Sequence, residues 1–191
     1  MSRPSDLASL VAELGPFDPE VAIVIIRQVC DVLKVVHETG ASHGQVRPST
    51  VLVSEVPGGW RVGLATRVAP GSVDPDKGMG GFEAPEVVHD QSPTVASDVF
   101  SVGGLLWACL TGSGPSAQRG RGLVPQLPAA APYSRHLNTV LAYALAVRPA
   151  HRFRSADELG RALGRSSLLT DMNRERQQVR RQVLGSCAAP I

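Results

Sequence analysis

Residues 43–52 read His43-Gly44-Gln45-Val46-Arg47-Pro48-Ser49-Thr50-Val51-Leu52. A glycine and a proline mark a loop, and the β-branched run Val51-Leu52-Val53 marks the strand that leaves it. Gln45 offers an amide, which has no basic oxygen able to take up a proton near neutral pH. Thr50 offers a hydroxyl, a poor ligand for Mg²⁺. Upstream, Asp18-Pro19-Glu20 opens a long helix: an N-cap acid, proline at the first helical position and glutamate in the first turn. Val21, Ile25, Val29, Val32, Leu33 and Val36 recur at helical spacing, and Gly40 ends the helix. Downstream, Val51-Leu52-Val53 and Trp60-Arg61-Val62 flank Val56-Pro57-Gly58-Gly59, which has hairpin turn composition.

The remaining elements follow from the same signals. Asp6 to Leu14 reads as a short helix closed by Gly15. Residues 64 to 83 are rich in Gly and Pro and read as a loop. Ser97 or Asp98 begins the most apolar helix, Val99 to Leu110, with the all-round apolarity of a buried central helix. Residues 112 to 133 lack periodicity. A helix from Ser134 to Val147 follows, and Ser155-Ala156-Asp157-Glu158 is a capping box opening another that reaches Leu163. A last helix from Thr170 to Leu184 completes the reading. The chain is mainly α with one small two-stranded β-hairpin.

Several motifs fall in one order along this chain. Leu33, His37, Gly40 and His43 give L-x-x-x-H-x-x-G-x-x-H. Phe82-Glu83-Ala84-Pro85-Glu86 and Ser97-Asp98-Val99-Phe100-Ser101-Val102-Gly103-Gly104-Leu105-Leu106-Trp107 follow, then Leu110-Thr111-Gly112. Arg148-Pro149-Ala150-His151-Arg152-Phe153-Arg154-Ser155-Ala156-Asp157-Glu158-Leu159 closes the series. Together they resemble the helical C-lobe of bacterial serine/threonine protein kinases over residues 5–165, with 166–191 as a C-terminal helix or tail. The resemblance implies that Glu86 pairs with Arg152, that Asp98 accepts from the loop backbone, and that His43 packs beneath it. These are its structural residues.

The departures from the family pattern are equally specific. The family's catalytic loop reads H-R-D-L-K-P-x-N. Here Gly44 stands for the Arg, Gln45 for the catalytic Asp, Arg47 for the Lys and Thr50 for the Asn. Arg61 falls where the D-F-G metal-binding Asp belongs, and no acid occurs between Glu55 and Asp74. Ser72 is the one hydroxyl residue between Arg67 and Phe82, which argues against control by loop phosphorylation. Nothing resembles the G-x-G-x-x-G loop or the V-A-I-K lysine, so the N-lobe is expected to be absent. The expected catalytic set is therefore empty. Metal and cofactor are expected to be none, and the chain is expected not to be an enzyme but a pseudokinase.

Composition bounds the partners. Apolar residues at 43% allow a real core. A net charge of +2 gives no bulk signal for nucleic acid. The positive surplus sits at the end, where Arg165, Arg174, Arg176, Arg180 and Arg181 face Asp171 and Glu175. Only Lys34 and Lys77 are lysines, which reads as genome composition. Cys30, Cys109 and Cys187 have no metal spacing and suggest a reducing cytosol. No apolar run of about 18 residues provides a membrane span, so any membrane association would run through a partner. His37, His89, His136 and His151 read as surface or packing residues. Gly78-Met79-Gly80-Gly81 reads as a flexible segment and Gln45 as a loop polar group bonded to backbone.

These readings lead to a cytosolic bacterial binding or scaffold module, regulatory in character, with a protein partner or a second copy. The docking ground is expected at Val46, Leu64 and Ala65, with Met172, Val179 and Val183 on the C-terminal stripe. That stripe also reads as a solvated tail. The alternatives are half of a split kinase completed by another chain, and a phosphoacceptor at Thr66, Thr94 or Thr170.

Overall fold

A computed structural model describes residues 4–56, 59–66, 80–89, 91–115, 127 and 134–164. The C-terminal stripe, Thr170, Ser72 and Gly78-Met79 lie outside them. Strand β1 (Ser5–Asp6) leads into α1 (Leu7–Leu14). Asp6 caps it by accepting from Ser9 N at 2.8 Å, and Gly15 follows its end. Helix α2 (Pro19–Glu38) starts with proline at its first turn and buries Val21, Ile25, Val29 and Leu33. Val32 and Val36 of the same stripe are half-buried.

A 3-10 turn, Pro48–Thr50, delivers the chain into β2 (Val51–Val56), which pairs antiparallel with β3 (Gly59–Leu64). The sheet has three strands in the order β1-β2-β3, one more than the hairpin read from sequence. The extra strand is two residues long, with Ser5 opposite Val53 and Asp6 opposite Leu52. Two residues carry no periodicity, so only the partner strand reveals them.

Helix α3 (Pro85–Val88) precedes α4 (Val95–Thr111). Helix α4 begins two residues before the expected Ser97, because Thr94 is its cap. Thr94 Oγ1 accepts from Ser97 N and Ser97 Oγ accepts from Thr94 N, at 3.3 and 2.7 Å. Every residue from Ser97 to Cys109 is buried, including the polar ones, so α4 is the axis of the core. Helices α2, α5 (Ser134–Ala144) and α6 (Ala156–Gly164) pack on it. Gly103 makes one of these approaches possible: a Cβ there would lie 2.7 Å from Ala144 Cβ. Helix α5 stops three residues short of the expected Val147, and Arg148-Pro149 leads into a second 3-10 turn that begins at the proline. In the capping box of α6, Ser155 Oγ accepts from Glu158 N, while Glu158 Oε2 accepts from Arg154 N rather than from Ser155.

Candidate functional site at the 43–50 loop

The loop is hung from α4. Asp98, 1% exposed, accepts from His43 N at 2.7 Å on Oδ2 and from Gly44 N at 2.8 Å on Oδ1. Its Oδ2 also meets His37 Nε2 at 3.0 Å. The His37 side chain is only 5% exposed. It is therefore part of the anchor and not the surface or packing group read from sequence. Gly44 has φ +70°, and a Cβ there would lie 3.0 Å from Pro93. A side chain would be strained at this position as well as crowded. His43 Nδ1 accepts from Gln45 N at 3.3 Å, and its Nε2 is buried with no hydrogen-bond partner among the described residues. His43 thus serves the frame and does not present a base to solvent.

Thr50 is the internal latch of the loop. Its Oγ1 lies 2.7 Å from Gln45 O and 2.9 Å from Arg47 O, and accepts from Arg47 N at 3.1 Å. The residue is 0% exposed. Gln45 is exposed, and its Oε1 accepts from Arg47 Nη2 at 2.7 Å. The expectation that Gln45 bonds to backbone through its side chain is corrected by that contact. Arg47 Nη2 also stands 4.0 Å from Glu83 Oε1, a surface pair of 31% and 65% exposed side chains.

Strand register decides the position of the metal-ligand alignment. Arg61 pairs with Ser54 and is exposed. Leu64 pairs with Val51, and Ala65 N donates to Thr50 O at 2.8 Å. The residues beside Thr50 are therefore Leu64 and Ala65, and Arg61 stands three positions back along β3. Neither Leu64 nor Ala65 carries a side-chain oxygen. With Thr50 Oγ1 buried and engaged, and both Asp98 oxygens occupied, the residues at this place do not fit the magnesium ion that the family implies.

The 82–86 segment is clamped to the core. Arg152 Nη1 and Nη2 donate to Glu86 Oε1 and Oε2 at 2.6 and 2.7 Å, the fork-to-fork geometry. Its Nε donates to Ala146 O, Nη1 also to Ala96 O and Nη2 also to Val147 O. The guanidinium lies 4.8 Å over the Phe100 ring. Ser101 Oγ donates to Phe82 O at 2.8 Å, a second tie from α4 to this segment. Sequence motifs placed Glu86, Asp98, His43 and Arg152. The three carbonyls that complete the Arg152 shell had no sequence signal, because any residue supplies a carbonyl.

Of the expected docking residues, Leu64 and Ala65 are half-buried, but Val46 is 4% exposed and belongs to the core. Its side chain faces inward from the loop, so it offers no surface. Among the described residues, the large exposed apolar ones are Val35, Val88, Tyr143 and Val147 instead. His136 Nε2 lies 3.1 Å from Ala162 O between α5 and α6, whereas His89 and His151 are exposed.

The family model described as the protein kinase domain matches residues 1–153. Among curated proteins, the chain is 25% identical over 205 residues to the serine/threonine-protein kinase PknE of Mycobacterium tuberculosis, covering 97% of this chain and 35% of that protein. It is 29% identical over 171 residues to PknD of the same species, covering 81% and 26%. The chain therefore spans between about a quarter and a third of the length of these relatives. A crystal structure of the M. tuberculosis PknI kinase domain shares the fold, with a TM-score of 0.64 at 22% identity over 86% of this chain and 63% of that one. These matches overturn the expectation that the chain is not an enzyme. A kinase-domain match and relatives named as serine/threonine kinases point to a kinase. The expectation weighed the altered loop positions and the missing small lobe with its lysine, whereas the match reads the sequence of residues 1–153 together.

Proposed function

This chain belongs to the protein kinase domain family, and on that premise we propose that it is the helical half of a kinase-type unit. In this reading it is a cytosolic bacterial binding module whose loop end, residues 43 to 66, receives a second protein element. One observation carries the reading. Leu52, Leu64 and Ala65 form half-buried apolar ground beside a loop held rigidly by Asp98. Within the sequence, no G-x-G-x-x-G loop or V-A-I-K lysine exists to cover it. A small lobe supplied from outside residues 1–191 supports both the apolar match and the missing phosphate-binding groups. Residues 5–165 are the working unit, and 166–191 an appended segment that adds to docking. Phosphoryl transfer is then a property of the assembled pair.

Hydrogen exchange on the tagged chain, alone and with the protein it retains from its native cell extract, tests this. Protection on binding is expected at residues 43 to 66, together with ATP turnover by the pair only. Protection confined to another face, or turnover by the isolated chain, would refute it. A second reading rests on Thr66, which is exposed just past β3, as a phosphoacceptor. Thr94 is a poorer candidate because its hydroxyl caps α4. Phosphosite mapping from cells separates them.

A further inference from the structure

Of the large apolar side chains exposed among the described residues, Val88, Tyr143 and Val147 gather around the Arg152 clamp. Arg152 Nη2 donates both to Val147 O at 3.0 Å and to Glu86 Oε2 at 2.7 Å, so one nitrogen ties the 144–152 turn to α3. The Val147 side chain points away from this tie and is 69% exposed; Val88, two residues past Glu86, is 59% exposed. Tyr143, 55% exposed, leans on half-buried Phe153, the residue after Arg152, with ring centroids 5.9 Å apart. The Arg152 side chain is itself 0% exposed, so the clamp is the floor of this face and not its surface. It holds the backbone under the apolar ground in one arrangement, which lowers the ordering cost of binding there.

The same face is basic. Arg148 adjoins Val147 and Arg154 adjoins Phe153; both are exposed, and neither forms an ion pair among the described residues. The nearby acids are engaged: Glu86 faces Arg152, and Glu158 Oε2 accepts from Arg154 N at 2.7 Å. Asp90 lies outside the described residues.

We propose that this face docks a short amphipathic segment of another protein, one that sets large apolar side chains beside carboxylates. Tyr143, Val88 and Val147 supply the apolar anchors, and a tyrosine ring already held by its neighbour loses little freedom on binding. Arg148 and Arg154 supply rim charge, which steers and orients an acidic partner. Charge also decides against the other occupants. A second copy joined two-fold symmetrically would set the same basic patch against itself. Residues 165–191 of this chain carry five Arg against Asp171 and Glu175, so like charge opposes them too. An anionic membrane is recognised by clusters of about 4–8 Lys or Arg, and two guanidiniums fall short of that. The inference is separate from docking at residues 43 to 66 and shares no residue with it.

The test pans a phage-displayed random peptide library against the full chain and measures the selected peptides by fluorescence anisotropy. Enriched sequences are expected to combine Asp or Glu with Leu, Phe or Trp, and to bind more weakly as salt is raised. Tyr143→Ala should lower their affinity by about tenfold or more. Val147→Ser, on a largely exposed side chain, gives the same reading if Tyr143→Ala does not fold, and a thermal melt reports folding of each variant. The double variant Arg148→Gln/Arg154→Gln should weaken binding and flatten its salt dependence. Hydrogen exchange with a selected peptide should show protection at residues 85–89 and 142–154 and not at 43–66, which keeps this face distinct from the docking reading above. A library that yields no enriched sequence, enriched sequences without acids, wild-type affinity in both Val147→Ser and the double arginine variant, or protection confined elsewhere would overturn the proposal. So would binding of phosphatidylserine vesicles, or a concentration-dependent dimer in sedimentation, that Val147→Ser abolishes, since each names a different occupant.

Discussion

Truncation of Arg152 to alanine removes the group that joins α3, α4 and the 144–152 turn. Its side chain is 0% exposed and that of Glu86 10%. Every N–H of the fork has an acceptor: two carboxylate oxygens and the carbonyls of Ala96, Ala146 and Val147. The variant leaves the Glu86 carboxylate short of its countercharge and three carbonyls without that donor. Breaking one side of such a pair costs about 3–5 kcal/mol. Loss of the contact with Phe100 adds to this, while water entering the vacated space relieves part of it. A net loss of about 4 kcal/mol corresponds to a fall in Tm of roughly 8–16 °C for a chain of this size. Urea unfolding followed by circular dichroism at neutral pH measures the free energy, and a thermal scan measures the shift. The double variant Glu86→Ala/Arg152→Ala removes the stranded carboxylate, so its loss should fall short of the summed single losses by about 1–3 kcal/mol. A loss below about 1 kcal/mol for Arg152→Ala, or simple additivity in the cycle, would refute the clamp.

Other outcomes follow from the packing. Thr50→Val keeps the shape but deletes the latch hydroxyl, and should destabilise by about 1–3 kcal/mol in urea. Thr50→Ser should retain most of the stability, and a neutral valine would show that the latch is unimportant. Gly103→Ala places a methyl 2.7 Å from Ala144 Cβ, and should cost about 1–3 kcal/mol by overpacking, partly recovered by Ala144→Gly. If the single variant were as stable as wild type by urea titration, the α4–α5 approach would be looser than described. Burial pushes the Cys109 thiol up to about 12, and Cys30 is raised further by burial and then by Asp31. Both thiols are therefore expected to resist alkylation in the folded protein near pH 8, and peptide mapping after alkylation reads this directly. Because both folded values are raised, the neutral thiols favour the folded state fully below their ordinary value of 9.0. That contribution fades as pH climbs through the window toward 12 for Cys109. Stability that held constant from pH 8 to 11 would count against it.

Much of the fold was legible because it is written in local chemistry. Pro19 opens α2 at its first turn, without the side-chain capping bond expected of Asp18, and Ser155-x-x-Glu158 caps α6, each a short-range signal. The start of α4 was misplaced because its box uses Ser97 in place of the expected acid or amide. The docking ground was partly misread for a different reason. Val46 looks like exposed apolar ground on a loop, but whether a loop side chain turns inward depends on what lies beneath it.

By itself the sequence determined the helical class, the order of elements, the clamp partners Glu86 and Arg152, and the absence of an acid at position 45. Residue type and spacing are enough for the class and the order of elements, which depend on local hydrogen bonding, while the clamp partners followed from the resemblance to the kinase motif series. Only the tertiary structure decided that His37 joins His43 and Gly44 on Asp98, and that Thr50 turns its hydroxyl inward. It alone placed Leu64 and Ala65, and not Arg61, beside Thr50. These are through-space relations set by strand register and by the depth of α4, and a one-residue shift in register reverses which face a side chain occupies. Spacing along a chain carries no record of that choice.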